Sequence, residues 1–524
     1  MMKKAIKKLL AALLAVAMLC AMAIPAWAAT EDITNHSFSA FQIFKGNVEG
    51  STLSNVEWGT GIKQDALLTK LTTDLSADFP GITTTSTAAE VAAKMNGWAE
   101  TDAKTTAFAK AVSECLADTA TYTSNSHSIH FKDAGYYLIK DTTDITPSGN
   151  KVANISLLKV TAANSDVTVK SKVEKPTVTK QVEDNDDKAT GDNNGFGSSA
   201  DHAIGEVFRF KLTATVPASA NNAYDFYKYY KVAFSDIMSD GLTFDGIESV
   251  TVGSNSATKT LTDSEYHYLD YSSAHSTNGF ELTIHDVKQF VDDLNNGATI
   301  TVLYKAHLNK NATVTTATSD NTGNENKVSL QYSNNPNVED SYDTTPYEKV
   351  YVFTYQLNNT KYQDEIKDGN ELEGAGFRLY SDKDCKEEIK LKQNTDGTYS
   401  RDFSANAKGV EMFSNDKGQF NVKGLGAGTY YLKETDTPAG FNTCPVTTVT
   451  IKATHTGNHV DLTDSTINGT ALSTSGLSTT IVNNRGTTLP STGGIGTTIF
   501  YVVGGGLMVA AIVLLVTKKR MENK

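Results

Sequence analysis

Short runs of β-branched and aromatic residues, separated by clusters of Gly, Asn and Asp, fill most of the chain between residues 29 and 488. This pattern is typical of all-β sandwiches. One stretch, residues 87–116, instead has its apolar residues at helical spacing. We therefore expect a mainly β chain of tandem sandwiches, with helical insertions in the first domain.

Two segments of similar sequence help to divide the chain. AGYYL at residues 134–138 and AGTYYL at residues 427–432 each look like a late strand of a sandwich. Composition also shifts at residues 171–176 and 335–346, which indicates linkers. We predict domains at 29–170, 171–346 and 347–488.

Both ends of the chain carry processing signals. Residues 1–28 give a lysine-rich start, an apolar run and a small-x-small cleavage site, which predicts a signal peptide and a mature chain that begins near Ala29. At the other end, residues 489–524 hold a pentapeptide, an apolar run over 495–517 and a basic tail. That run of roughly 23 residues, at about 1.5 Å rise each, is long enough to span a bilayer. The pentapeptide is Leu489, Pro490, Ser491, Thr492 and Gly493.

An ordinary single-pass anchor would share the apolar span and the basic tail, whose cations stay inside the cell. The full order, with the pentapeptide first, resembles the sortase cell-wall sorting signal of Gram-positive bacteria. The resemblance implies that sortase cleaves between Thr492 and Gly493 and joins the protein covalently to the cell surface, where peptidoglycan is a partner. The membrane anchor is then transient.

Charge and cysteine content limit the remaining possibilities. The net charge of −13 makes nucleic acid an unexpected partner. Beyond the signal segment the chain has Cys115, Cys385 and Cys444. Because an exported chain can keep a disulfide, we hypothesise a bridge between Cys385 and Cys444, with two unpaired buried thiols as the alternative. So few cysteines cannot be the main reinforcement of so long a secreted chain.

The third domain contains YYLKETDTPAGF at residues 430–441, which resembles the E-box of Cna-type (SpaA-like) domains in sortase-assembled pilins. The segments VFTYQLNNTKY and TTIVNNRG resemble the first and last strands of those domains. The resemblance implies an internal isopeptide bond between Lys361 and Asn483, promoted by the acid Glu434.

Strand alternation is consistent with this implication. Lys361 has the parity of Leu357, Glu434 that of Leu432, and all three site residues should point into the core. Burial lowers the pKa of a lysine and raises that of a carboxylic acid, so the amine becomes a nucleophile. The alternative is a buried salt bridge beside a bystander asparagine.

The middle domain shows a similar set. Lys180 shares parity with Val178, and Asp236 shares parity with Phe234. Asn324 and Asn326 both share the parity of later core residues in their strand, so the choice between the two stays open. The segments resemble the isopeptide-forming second domain of fimbrial major subunits, which implies Lys180, Asp236 and Asn326 as the triad. A surface lysine with two turn residues is the alternative.

The linker between the first two domains offers an intersubunit lysine. Residues 167–172, VTVKSK, resemble the V-x-V-Y-P-K segment of backbone pilins, in which the lysine attacks the sortase acyl-enzyme of the next subunit. The resemblance implies Lys172, although Lys-Ser replaces Tyr-Pro. Lys170 and Lys175 are rivals in the same linker.

These features together resemble the major, or backbone, pilins of Gram-positive bacteria over nearly the whole chain. The resemblance implies a structural pilus subunit on the cell surface that supports adhesion, with sortase, further copies of itself, and tip and base pilins as partners. A wall-anchored adhesin or an unpolymerised minor pilin is the alternative. We find no convincing nucleotide loop or hydrolase motif, and we expect no enzyme, cofactor or metal site.

Overall fold

The folded units follow one another along the chain in the computed structural model, which describes residues 31–145, 151–184, 195–254, 257–271, 278–317, 319–320, 322–471, 476–487 and 495–522. The signal segment 1–28 and the pentapeptide 489–493 lie outside the described residues. Mainly β architecture with helices in the first domain is confirmed.

The first domain is a sheet of order β2-β1-β5-β6, with β3 beside β1, and helices packed on it. Its elements are β1 (Phe38–Glu49), β2 (Thr52–Trp58), α1 (Gln64–Thr73), α2 (Ala88–Lys94), α3 (Ala103–Ser113), β3 (Tyr122–Ser124), β4 (Ser128–Phe131), β5 (Gly135–Asp141), β6 (Leu157–Thr161) and β7 (Ser165–Thr168). Helices α2 and α3 lie in the stretch predicted to be helical, and α1 was not predicted. Helix α2 begins at a capping box, in which Thr87 and Glu90 accept hydrogen bonds from each other's backbone amides.

The middle domain is a sandwich of two sheets. One has the order β10-β21-β19-β12-β16-β15, with β20 on β19, and the other has the order β14-β13-β17-β11-β8-β9. The strands are β8 (Thr177–Glu183), β9 (Phe196–Gly197), β10 (Ser199–Asp201), β11 (Val207–Val216), β12 (Val232–Met238), β13 (Leu242–Gly253), β14 (Thr258–Thr260), β15 (His267–Asp270), β16 (Gly279–Ile284), β17 (Ala298–Leu308), β19 (Asn324–Ser333), β20 (Tyr342–Thr344) and β21 (Glu348–Phe353). The short strand β18 (Ser319–Asp320) lies outside both sheets and pairs with a strand of the third domain. Short 3₁₀ helices span Ala223–Phe226, Val287–Phe290 and Leu294–Asn296.

Strict alternation along the strands builds the core between these sheets. In β17, every second residue from Ala298 to Leu308 is buried, while the residues between them are partly or fully exposed. The same alternation in β11, the neighbour of β17 in that sheet, buries a second row of apolar residues beside the first. Period-2 patterning therefore decides which side chains enter the core.

The third domain is a second sandwich, with sheets of order β24-β25-β27-β22-β34 and β26-β23-β28-β29-β32-β33. Its strands are β22 (Tyr355–Gln363), β23 (Gly376–Tyr380), β24 (Leu391–Gln393), β25 (Tyr399–Arg401), β26 (Met412–Phe413), β27 (Val422–Leu425), β28 (Gly428–Asp436), β29 (Thr447–Ile451), β30 (Thr454–Thr456), β31 (His459–Asp461), β32 (Thr466–Ile467), β33 (Thr470–Ala471) and β34 (Ser478–Asn483). The first strand of this domain, β22, and its last, β34, are parallel neighbours.

The junction between these two sandwiches differs from the sequence prediction. Strand β21, which the predicted boundary at 346 assigned to the third domain, pairs with β19 and β10 of the middle domain. Val350 and Val352 belong to the middle core, whereas Phe353 belongs to the third. The change of core therefore falls at Phe353, and only Thr354 separates β21 from β22.

Helix α4 (Ile495–Met521) follows the third domain. The part from Thr498 to Met521 is long and apolar enough to cross a membrane. Lys518, Lys519 and Arg520 lie in its last turn.

Candidate crosslinking sites

The third-domain residues Lys361, Asn483 and Glu434 meet between the two sheets. Lys361 and Asn483 come from the parallel neighbours β22 and β34, and Glu434 comes from β28 in the facing sheet. Each side chain is buried on the inward face of its strand, as the alternation predicted.

The side chains in this site touch each other directly. The Lys361 amine donates to Asn483 Oδ1 at 2.5 Å, and Asn483 Nδ2 donates to Glu434 Oε1 at 2.6 Å. Lys361 Nζ lies 3.6 Å from Glu434 Oε1, and both of these side chains are 0% exposed. The Asn483 carboxamide therefore has the Lys361 amine hydrogen-bonded to its oxygen and the Glu434 carboxyl group hydrogen-bonded to its nitrogen.

Neighbouring residues hold this arrangement in place. The Cys444 backbone amide donates to Glu434 Oε2 at 2.8 Å, which fixes the carboxyl group from behind. The Phe377 ring lies 5.2 Å from Lys361 Nζ. The Lys361 backbone amide donates to the Gly418 carbonyl oxygen at 2.8 Å.

The middle-domain residues also meet across a sandwich. Lys180 on β8 faces Asp236 on β12 and Asn326 on β19, and all three side chains are buried. The Lys180 amine forms an ion pair and a hydrogen bond with Asp236. A fourth residue, Tyr304 on β17, contacts all three.

Tyr304 is the centre of this hydrogen-bond network. Its hydroxyl oxygen accepts from Lys180 Nζ at 2.8 Å and from Asn326 Nδ2 at 2.8 Å. The hydroxyl donates to Asp236 Oδ2 at 3.0 Å. Sequence reasoning missed Tyr304, because an inward-facing tyrosine in an alternating strand looks like an ordinary core residue.

Burial controls the protonation of the middle-domain site. Desolvation lowers the pKa of Lys180 to about 8, although the Asp236 charge opposes this shift. Desolvation raises the pKa of Asp236, against the opposing effect of Lys180. Burial, together with the neighbouring Asp236 charge, also raises the pKa of the Tyr304 phenol well above its ordinary value.

The structure separates the two candidate asparagines. Asn324 Nδ2 donates to the backbone carbonyls of Thr313 and Val352, each at 3.0 Å, and its Oδ1 accepts from the Thr313 amide at 2.9 Å. These bonds commit Asn324 to the backbone around it. Asn326 is the asparagine beside Asp236 and Tyr304.

Lys172 bridges the first two domains. Its amine donates to Glu100 Oε1 at 3.1 Å in the first domain and to Asn221 Oδ1 at 3.0 Å in the middle domain. About 25% of the side chain is exposed. It lies at a cleft of about 180 Å³ whose lining includes Tyr224 and Tyr227.

The rival lysines have different surroundings. Lys175 Nζ forms an ion pair with Glu31 Oε2 at 2.7 Å, and the Glu31 side chain is only 4% exposed. Lys170 is exposed, and its backbone carbonyl accepts a hydrogen bond from Asn154 Nδ2.

The predicted disulfide is wrong, because Cys385 and Cys444 are both free thiols. Strands β23 and β28 are antiparallel, with Tyr380 opposite Tyr431, so the turn after β23 that holds Cys385 lies toward the beginning of β28. Cys444 follows β28 in sequence and lies toward the other end of that strand, where its backbone amide donates to Glu434. Strand β28 also lies between the strands next to the two cysteines, and a disulfide requires Cα atoms about 4.4–6.8 Å apart.

Family profiles match three parts of the chain. A Cna-B-like domain described as Gram-positive pilin backbone subunit 2 matches residues 204–336, and a prealbumin-like fold domain matches residues 356–466. The LPXTG cell wall anchor motif matches residues 481–523. The chain has the domains and the cell-wall anchor of a Gram-positive pilus backbone subunit. Asp236 and Asn326 lie within the Cna-B-like match, and Lys361 and Glu434 lie within the prealbumin-like match. Lys180 and Asn483 lie outside these two ranges.

Known relatives are distant. The trypsin-resistant surface T6 protein of Streptococcus pyogenes serotype M6 is 26% identical over 368 residues, covering 61% of this pilin and 65% of that protein's length. The solved T6 backbone pilin of Streptococcus pyogenes serotype M6 is 18% identical, with a TM-score of 0.44, over 87% of this chain and 98% of that chain. The C-terminal fragment of the major pilin GBS80 of Streptococcus agalactiae is 22% identical, with a TM-score of 0.41, over 59% of this chain and 100% of the fragment.

Proposed function

We propose that this pilin is a structural backbone subunit of a covalently polymerised cell-surface pilus, hardened by two internal Lys–Asn isopeptide bonds. The observation that carries the proposal is the contact of the Lys361 amine with the Asn483 carboxamide and of that carboxamide with Glu434. A buried ionisable pair costs free energy to desolvate, so it is a poor device for stability alone. The same groups are well suited as reactants.

The reaction in the third domain needs no cofactor. Lys361 passes a proton to Glu434, and the neutral amine attacks the amide carbon of Asn483. Glu434 protonates the departing nitrogen and then takes the remaining proton from the lysine nitrogen, so the products are an amide bond and ammonia. A mere salt bridge would not require the amine to lie against the asparagine carbonyl.

Mechanics give the bonds a purpose. A fibre one subunit wide carries tension through its domains in series, and noncovalent domains are only marginally stable. A bond between β22 and β34 carries force across the third domain without passing through residues 362–482. A bond between Lys180 and Asn326 does the same for residues 181–325.

Polymerisation requires sortase to join Thr492 of one subunit to an amine of the next. Lys172 is supported by its place at the cleft between two domains, where an extended peptide could enter. Lys175 is less suited because a buried carboxylate holds its amine. The last subunit is then joined to peptidoglycan, and tip and base pilins complete the fibre.

The internal bonds are tested by the intact mass of the mature chain, residues 29–492. Each bond expels one ammonia, so the chain should be about 34 Da lighter than its sequence when both form. Glu434→Ala should reduce that deficit to about 17 Da. The matched control is Glu387→Ala, an exposed acid of the same domain. A mass equal to the sequence would refute the internal bonds.

The intersubunit bond is tested on cell-wall extracts run under denaturing conditions. Wild-type cells should give a high-mass ladder, and Lys172→Ala should abolish it while monomers remain anchored through Thr492. Lys170→Ala serves as the control and should leave the ladder unchanged. A single wall-linked band from wild-type cells would instead favour an adhesin or minor pilin.

A further inference from the structure

The two crosslinking sites differ in how the acid reaches the asparagine. In the third domain, Glu434 Oε1 accepts directly from Asn483 Nδ2 at 2.6 Å. In the middle domain the acid is Asp236, one methylene shorter. Asn326 Nδ2 donates to the Tyr304 hydroxyl at 2.8 Å, and the Asn326 side chain also lies near enough to Asp236 to act on its pKa. The hydroxyl of Tyr304 connects that nitrogen to the carboxyl group of Asp236.

We propose that Tyr304 is a catalytic residue of the middle-domain crosslink, whose hydroxyl relays a proton from Asp236 to the departing nitrogen of Asn326. This inference rests on the proposed internal bond and adds the route by which its leaving group is protonated. The phenol is hydrogen-bonded both to that nitrogen, at 2.8 Å, and to the acid, at 3.0 Å.

The surroundings of Tyr304 hold its hydroxyl in position. The residue is 0% exposed, and its ring lies 5.2 Å from that of Phe210 and 5.0 Å from that of Phe280, measured between centroids. Buried aromatic contacts of this kind restrict the ring. Because bulk water is excluded, the proton for the leaving group has to come from a group inside the site, and the Tyr304 hydroxyl lies 2.8 Å from Asn326 Nδ2.

The proton transfers balance. Lys180 first passes a proton to Asp236, which leaves a neutral amine and a neutral carboxyl group. The lysine nitrogen bonds to Cγ of Asn326, and Nδ2 becomes pyramidal with a lone pair. The Cγ–Nδ2 bond breaks as Tyr304 gives its proton to Nδ2. Asp236 then reprotonates the Tyr304 oxygen and takes a proton from the lysine nitrogen, leaving one amide, one ammonia and a protonated acid.

The electrostatics of the site favour this sequence. Burial raises the pKa of Asp236, so its carboxyl group can hold the proton that the relay requires. The pKa of Tyr304 is raised well above its ordinary value, so a phenolate would not persist and would recover a proton from Asp236 at once. The hydroxyl therefore transfers protons without staying charged.

Tyr304→Phe tests the relay, since it keeps the ring and removes only the hydroxyl. The mature chain is recovered unfolded from inclusion bodies and refolded, and the loss of about 17 Da in the middle domain is followed by mass spectrometry of the Lys180–Asn326 peptide pair. We expect bond formation at least about tenfold slower than in wild type. The third-domain bond in the same molecule should form at its normal rate.

Two further variants separate proton transfer from packing. Tyr332→Phe removes another fully buried hydroxyl of the same domain, on β19 and six residues from Asn326, and should leave the rate unchanged. Asp236→Glu in the Tyr304→Phe background lengthens the acid, so that it can reach the amide as Glu434 does. This double variant should recover most of the rate.

The outcomes are distinguishable. A wild-type chain that never forms the Lys180–Asn326 bond would refute the proposed function in this domain. Wild-type chains that form it, together with Tyr304→Phe chains that form it equally fast, would overturn the relay alone. A double variant no faster than Tyr304→Phe would also overturn it, because the hydroxyl would then act through packing.

Discussion

Replacing Lys361 by Met should lower the stability of the third domain by the entropy that the crosslink removes from its unfolded state. Lys361 and Asn483 are 122 residues apart in sequence. Closing a loop of that length restricts the unfolded chain by about 5 kcal/mol at 25 °C, when the relation derived for disulfides is applied to the amide bond. Methionine keeps the length and apolar stem of lysine, and Asn483 can still donate to Glu434, so the substitution itself should add little.

The expected change is large enough to measure by calorimetry of the mature chain. For a domain of roughly 130 residues, about 5 kcal/mol corresponds to a fall in Tm of roughly 15–20 °C. The middle-domain transition should not move and provides an internal reference. Lys367→Met is the matched control, because that side chain is 68% exposed in the same domain. A shift of only a few degrees, with the wild-type bond verified by mass, would refute the entropic argument.

Three further predictions concern pH, backbone conformation and the thiols. The middle-domain bond should form fastest at a pH where Lys180 and Asp236 share one proton. Its rate should fall above pH 8, because the pKa of Lys180 is about 8 and a fully deprotonated pair has no proton for the leaving group. Refolding followed by mass spectrometry checks this, and a rate still rising at pH 10 would contradict it. Gly418→Ala should destabilise the third domain by about 1–3 kcal/mol in denaturant titrations, because Gly418 has φ +68° and a Cβ there would lie 2.4 Å from a backbone carbonyl oxygen of β22; an unchanged midpoint would count against that strain. Thiol labelling of the unreduced, denatured mature chain should modify both Cys385 and Cys444. If neither cysteine were labelled, the disulfide hypothesis would be supported instead.

Much of the two candidate sites could be predicted from the sequence, because successive side chains of a strand point to opposite faces of the sheet. The parity of Lys361 with Leu357 and of Glu434 with Leu432 is a local property, and it placed these side chains on the buried faces seen in the structure. The helices of the first domain were accessible in the same way, through the spacing of apolar residues in 87–116. Helix α1 was missed, since the prediction considered only that stretch.

Features that depend on which strands become neighbours were decided only by the tertiary structure. The predicted disulfide assumed that the segments holding Cys385 and Cys444 are neighbours, and the register of β23 on β28 instead keeps the two cysteines apart. The choice of Asn326 over Asn324 could not come from parity, since both face inward; it follows from the backbone groups that Asn324 meets.

Tyr304 shows the same limit most clearly. From the sequence, Tyr304 looks like an ordinary aromatic residue of the core. The sequence does not distinguish a tyrosine hydroxyl that packs against apolar neighbours from one that hydrogen-bonds to Lys180, Asp236 and Asn326. Local periodicity determined which side chains enter the cores of this pilin. The pairing of strands within each sheet and the packing of the two sheets together determined which of them meet. Only that tertiary arrangement brings together hydrogen-bond partners such as Lys180 and Tyr304, which are 124 residues apart.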